Sequence, residues 1–188
     1  TLAEGVTVIQ SAACEPEIVD LAEFLKAMGA QITGAGSPTV TITGVKELHG
    51  AEHEAIPDRI EAATFAIAAA CSRGEVTLRG ARPEHIHAVL DKLEEAGVRL
   101  DRTGGNLTVK GGRRLRPVDV TTQPYAGFPT DAQAQMMVLM TQASGISIIT
   151  ERIFETRFMH FSELARLGAD IQLEGPRAVV KGPSGLRS

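Results

Sequence analysis

The chain has 188 residues, 43% hydrophobic and 22% charged, with a formal net charge of −4. That is the balance of an ordinary globular chain, and its sign provides no field for nucleic acid or an anionic membrane, so an anionic ligand must be held by local Arg and Lys. Cys14 and Cys71 form no metal-ligand spacing and no disulfide framework, which points to thiols in a reducing cytoplasm, and no apolar run is long enough to span a membrane.

Aromatic residues make up 4% of the chain and Trp is absent, so the core must rest on Ala, Val, Ile and Leu. The chain opens Thr1-Leu2-Ala3-Glu4-Gly5 and runs straight into a strand at Val6–Ile9. A helix follows from Glu15-Pro16-Glu17 to Met28, closed by Gly29, and then a strand at Val40–Val45. Gly50–Glu54 breaks every period and marks a boundary or hinge near His49–Pro57. A second helix, Ile60–Cys71, starts behind Pro57-Asp58-Arg59 and is apolar on most faces. The order then repeats: strand at Gly74–Leu78, helix to Ala96 closed by Gly97, strand at Asn106–Gly111. Another apolar helix, Ala132–Met140, stands behind Pro129-Thr130-Asp131. A third strand at Gly145–Ile149, a helix closed by Gly168 and a strand at Ala178–Gly182 complete the pattern.

Two sets of landmarks agree on the period. The opening glycines Gly5, Gly74 and Gly145 stand 69 and 71 residues apart, and the helix-ending glycines Gly29, Gly97 and Gly168 stand 68 and 71 apart. The unit is strand, helix, strand pair, helix. A helix that is apolar all round is buried, so the second helices should lie inside with sheets around them. The expected class is α/β, with one partial unit in residues 1–50 and two more in 51–188. Both ends read as cuts through a longer chain.

Four segments carry a family resemblance: Glu15-Pro16-Glu17-Ile18-Val19-Asp20, Pro57-Asp58-Arg59-Ile60-Glu61, Phe128-Pro129-Thr130-Asp131-Ala132-Gln133-Ala134-Gln135 and Phe154-Glu155-Thr156-Arg157-Phe158-Met159-His160. In order and spacing the chain resembles the UDP-N-acetylglucosamine enolpyruvyl transferases of the EPSP synthase-like family. The resemblance implies an inside-out α/β barrel, incomplete here: the last part of one domain in 1–50 and about two units of a second in 51–188. It implies transfer of the enolpyruvyl group of phosphoenolpyruvate to the 3′-hydroxyl of UDP-N-acetylglucosamine, in peptidoglycan precursor synthesis, with no metal or other cofactor. That chemistry needs a base for the hydroxyl, an acid for C3 of phosphoenolpyruvate and cations for the phosphates.

The resemblance makes Asp131 the general base, or its helper, at the start of a helix. It puts Arg157 on an anionic ligand group, although Thr156 stands where the family motif commonly has Asn. Ile153 and Phe154 would line the sugar pocket, Ile153 partly through its backbone. Asp58 and Arg59 would lie on the phosphoenolpyruvate side, and Glu15 and Glu17 would serve domain closure. On the residues alone, Asp131 and Asp58 are equally helix-start carboxylates favoured by the helix dipole, and Arg157 a surface partner of Glu155 or Glu151. For Asp131 to be the base, it must lie close to the Arg157 guanidinium. Neither cysteine matches the family's reactive Cys. That loop, a Lys-Asn pair and a C-terminal Arg would belong to other parts of the parent protein, so the 188 residues alone should not turn over. A non-catalytic repeat-built binding domain and the sister enzyme acting on shikimate 3-phosphate remain alternatives, and self-association through the apolar inner helices stays open.

Overall fold

Strand, helix and strand pair alternate three times along the chain, and the computed structural model describes residues 1–187. The elements are β1 (Val6–Gln10), α1 (Pro16–Ala27), β2 (Gln31–Thr33), β3 (Thr39–Thr43), α2 (Arg59–Cys71), β4 (Glu75–Arg79), α3 (His87–Glu95), β5 (Arg99–Asp101), β6 (Asn106–Lys110), β7 (Val120–Thr121), α4 (Gln133–Met140), β8 (Gly145–Thr150), α5 (Phe161–Arg166), β9 (Asp170–Glu174) and β10 (Arg177–Gly182). They divide into two compact units, Thr1–Ile56 and Pro57 onward.

The first unit is an antiparallel sheet of order β1-β3-β2, with Val6 opposite Thr43 and Gln31 opposite the same residue. Its small core is Ala22, Ala30, Ile32 and Val40. The second unit holds two sheets, β4-β6-β5 and β7-β8-β10-β9. All pairings are antiparallel except β7 with β8, which lies parallel with Val120 opposite Ile149. Strands alternate inward and outward side chains. Leu107 and Val109 on β6, and Ala178 and Val180 on β10, are therefore buried while their neighbours are not. Between the sheets, α2 packs against β4, β6, α3 and α4, and α4 packs against β8 and β10.

The helices-inside expectation holds for the second unit. α4 buries Gln133, Met136, Met137, Leu139 and Met140, and α2 buries Ala63, Ala66, Ile67, Ala69 and Ala70. The small side chains of α2 let its neighbours approach closely. Its outer face is less buried than the sequence suggested, since Phe65 is 52% exposed. No barrel closes within the described residues.

The three first helices end alike. Gly29, Gly97 and Gly168 adopt φ of 101°, 95° and 96°. In each the glycine N–H and the next N–H reach back to two helix carbonyls, as Gly97 to Glu94 and Val98 to Leu93, both at 2.9 Å. This is the left-handed close that glycine allows without a Cβ clash. The helix closed by Gly97 does not run back to Pro83 as a single α-helix. Instead a 3₁₀ turn at Pro83–His85 precedes α3, because Ile86 leaves the helical region at φ −132°.

Candidate active site

Asp131, Arg157, Ile153 and Phe154 come together on two segments of the second unit: the link from β7 to α4, and the link from β8 to α5. An Nη1 atom of Arg157 lies 2.8 Å from Asp131 Oδ1, with both side chains part-exposed. The expected closeness of this carboxylate and this guanidinium is present. Among the described residues the ion pair of Arg157 is with Asp131, not with Glu155 or Glu151, and Glu151 accepts instead from Thr122, Thr130 and the Ile153 and Phe154 N–H groups.

One expectation needs correcting. Asp131 does not sit in the first turn of an α-helix. Thr130–Ala132 form a 3₁₀ turn, and α4 begins only at Gln133. Neither this turn nor α4 receives a side-chain cap, so the Asp131 carboxylate is not spent on helix N–H groups. Asp58 behaves differently. It is the N-cap of α2, and its Oδ1 accepts from the N–H groups of Ile60 at 2.8 Å and Glu61 at 3.0 Å. The neighbouring Arg59 guanidinium lies over the Tyr125 ring at 5.5 Å, a cation–π distance.

Arg157 is anchored on several sides. Its Nη1 also donates to Thr130 Oγ1 at 3.2 Å, and its guanidinium lies 5.6 Å from the centre of the Phe154 ring. Its N–H donates to the Phe154 carbonyl at 2.8 Å, and its own carbonyl accepts from the Gln133 side-chain amide at 3.3 Å. Phe154 is 57% exposed, so its ring is a surface of the site and not core. The Ile153 N–H is taken up by a carboxylate, which leaves its carbonyl as the backbone group it can offer a ligand.

That carboxylate belongs to Glu151, the residue that sequence reasoning missed. Glu151 is 1% exposed. Its Oε1 accepts from Thr122 Oγ1 at 2.5 Å, from the Ile153 N–H at 2.8 Å and from the Phe154 N–H at 3.1 Å. Its Oε2 accepts from Thr130 Oγ1 at 2.8 Å. Burial pushes its pKa up, but the bonds from Thr122, Ile153, Phe154 and Thr130 together outweigh burial and hold it below the ordinary value. Thr122 Oγ1 in turn accepts from the Arg152 N–H at 2.8 Å. The only sequence signal was an acid directly after the strand run Ile148-Ile149-Thr150, which normally marks a strand running out into solvent.

His160 lies beyond the Arg157 turn. Burial and, after it, the Arg157 charge depress its pKa, so it is neutral at pH 7. Its Nε2 is buried without a hydrogen-bond partner, in keeping with a structural residue.

Glu15 and Glu17 lie in the first unit. Glu15 occupies the N-cap position of α1 without a side-chain cap bond. Glu17 lines a cavity of about 360 Å³ with Asp20, Leu21, Phe24, Ala51, His53 and Ala55. His53, in the Gly50–Glu54 segment that breaks the repeat, is paired: its Nε2 lies 3.0 Å from Asp20 Oδ1 and its ring stacks on Phe24 at 5.0 Å. Among the described residues no group of His, Cys, Asp and Glu could hold a metal ion, and no helix is long and apolar enough to cross a membrane.

A family model described as EPSP synthase (3-phosphoshikimate 1-carboxyvinyltransferase) matches residues 1–185. The chain belongs to the EPSP synthase family. Within it, the chain is similar to proteins curated as UDP-N-acetylglucosamine 1-carboxyvinyltransferase: 56% identical over 188 residues to that of Afipia carboxidovorans and 59% over 182 residues to that of Caulobacter vibrioides. These matches cover 100% and 96% of this chain but only 44% and 42% of the relatives, so the chain spans less than half their length. The enolpyruvyl transferase NikO from Streptomyces tendae superposes with a TM-score of 0.86 at 28% identity, over 100% of this chain and 45% of that one. An EPSP synthase from Acinetobacter baumannii, 18% identical with a TM-score of 0.53 over 99% of this chain and 43% of that one, shares the fold. The resemblance read from the four segments is borne out at the level of this family.

Proposed function

We propose that the chain supplies the sugar-facing part of an enolpyruvyl transferase that uses phosphoenolpyruvate and UDP-N-acetylglucosamine. The observation that carries this reading is the Asp131–Arg157 pair at 2.8 Å. Asp131 takes the proton of the 3′-hydroxyl as the sugar oxygen bonds to C2 of phosphoenolpyruvate and an acid from another part of the enzyme protonates C3; loss of a C3 proton then expels phosphate from C2 and restores the double bond of the enol ether. A carboxylate within hydrogen-bond reach of the hydroxyl suits that task. Arg157 engages Oδ1 and so turns Oδ2 toward the acceptor. Phe154 offers an exposed ring, and Ile153 a carbonyl, to the sugar nucleotide. Asp58 and Arg59 serve the phosphoenolpyruvate side, Asp58 by fixing the helix start that carries Arg59. Glu15 and Glu17 serve domain closure, and the enzyme works in the cytoplasm on peptidoglycan precursors. The names of the relatives at 56% and 59% identity favour the amino-sugar acceptor over shikimate 3-phosphate.

The test is phosphate release by the whole reading frame. Wild type should release phosphate with phosphoenolpyruvate and UDP-N-acetylglucosamine but not with shikimate 3-phosphate. Asp131→Asn should lower kcat by about 10²–10⁴, the contribution typical of a positioned base. An Asp131→Asn enzyme within threefold of wild type would overturn the role given to Asp131.

A further inference from the structure

We propose that Glu151 and Thr130 are positioning residues that aim the Asp131 carboxylate, acting through Arg157. The inference rests on the enolpyruvyl-transfer reading and deepens it.

A single carboxylate ties together the two links that carry Asp131 and Arg157. Through Oε1, Glu151 gathers the N–H groups of Ile153 and Phe154, and through Oε2 it holds the hydroxyl of Thr130, the residue before Asp131. A device that only closed the 152–154 turn would need Oε1 alone. The second oxygen is committed to the turn that carries the proposed base.

The polarity of the Thr130 hydroxyl gives the link a direction. A hydroxyl has one proton and two lone pairs. With its proton committed to Glu151 Oε2, Thr130 Oγ1 presents a lone pair to Arg157 Nη1 at 3.2 Å. The same Nη1 atom reaches Asp131 Oδ1 at 2.8 Å. The series therefore runs from a buried anion to a hydroxyl, a guanidinium and the half-exposed carboxylate. Each proton on this path has one acceptor: that of Thr130 goes to Glu151, and the two on Arg157 Nη1 go to Thr130 and Asp131. Removing the charge of Glu151 or the hydroxyl of Thr130 lets the guanidinium swing, and Asp131 with it. Productive proton transfer tolerates only small errors of position, and a displacement near 1 Å costs up to about a hundredfold.

The experiment uses the whole protein and steady-state phosphate release, with melting temperature recorded for every variant. Thr130→Val keeps the shape and removes one hydroxyl, leaving Glu151 with three of its donors. It should lower kcat roughly tenfold to a hundredfold, with KM for phosphoenolpyruvate within twofold of wild type and little change in melting temperature. Thr130→Ser restores the hydroxyl and should recover most of that loss. Glu151→Gln should also lower kcat, and the Glu151→Gln/Thr130→Val double variant should be no slower than the slower single, because both break one path. Equal kcat for the Val and Ser variants, or losses that multiply in the double variant, would overturn the proposal. If those results came while wild type turned over and Asp131→Asn did not, only this inference would fall. If wild type released no phosphate from this substrate pair, the functional reading would fall and take the inference with it.

Discussion

Replacing Glu151 by Gln tests the physical basis of the site apart from its chemistry. The change keeps the side-chain shape but removes the charge. Three bonds to Oε1, from Thr122, Ile153 and Phe154, become neutral, and the amide N–H₂ now faces Thr130, whose proton loses its acceptor. A hydrogen bond to a charged group contributes about 1.5–3 kcal/mol and a neutral one about 0.5–1.5. Three such reductions and one orphaned donor sum to roughly 4–6 kcal/mol before relief. Relief comes from no longer burying a charge, which costs several kcal/mol, so the net loss should be about 1–3 kcal/mol. With a urea slope of about 2 kcal/mol per M, the midpoint should fall by roughly 0.5–1.5 M at pH 7.

The pH dependence fixes the sign. The folded-state pKa of Glu151 is lower than its ordinary value, so the unfolded chain binds the proton more readily. The stability that Glu151 contributes is complete above the unfolded value of about 4.3 and is lost as pH falls through the still lower folded value. The gap between wild type and Glu151→Gln should therefore be widest from pH 6 to 7 and should narrow below about pH 4. Urea unfolding of both proteins across pH 3.5–7 measures it. Equal midpoints at pH 7, or a gap that ignores pH, would refute the hydrogen-bond account of this carboxylate.

Other outcomes follow from single contacts. Asp58→Ala removes the cap of α2 and should cost about 1 kcal/mol in thermal unfolding, while Asp58→Asn should keep most of it. Burial raises the Cys71 thiol to about 11, so at pH 8 a thiol reagent should label it far more slowly in the folded chain than in urea. A Cβ at Gly182 would sit 2.3 Å from the Ala143 carbonyl oxygen and 2.8 Å from those of Met140 and Thr141. Gly182→Ala must push β10 away from the end of α4 and should lower the melting temperature by ten degrees or more, equivalent to about 3 kcal/mol. The 188 residues by themselves should release no phosphate from phosphoenolpyruvate and UDP-N-acetylglucosamine, and measurable release would overturn the placing of the remaining machinery on other parts of the parent.

The repeat was legible because glycines mark it. Gly29, Gly97 and Gly168 each close a helix in a way other residues resist, so their spacing survives in plain view. The closeness of Asp131 and Arg157 was legible from the motifs around them. Glu151 was not, because its meaning lies in Thr122 and Thr130, 29 and 21 residues away, and no local pattern reports such a partner. The pairing of His53 was hidden for the same reason, since its partner Asp20 is 33 residues distant. The 3₁₀ turns at Pro83–His85 and Thr130–Ala132 could not be told from α-helix in the sequence, because each holds an acid with a proline in it or just before it, which suits either kind of turn.

The change from α to 3₁₀ at residue 130 has a further consequence. In successive copies of one unit, an aspartate stands where the second helix begins. At Asp58 the regular turn brings two backbone donors to the carboxylate and its valence is filled. Asp131 stands two residues past Pro129, the N-cap of its turn, and caps neither that turn nor α4, so its side chain answers to Arg157 instead. Two acids near successive helix starts thus differ in bonding state: one is closed by its own helix, the other stays open to a partner from a distant segment.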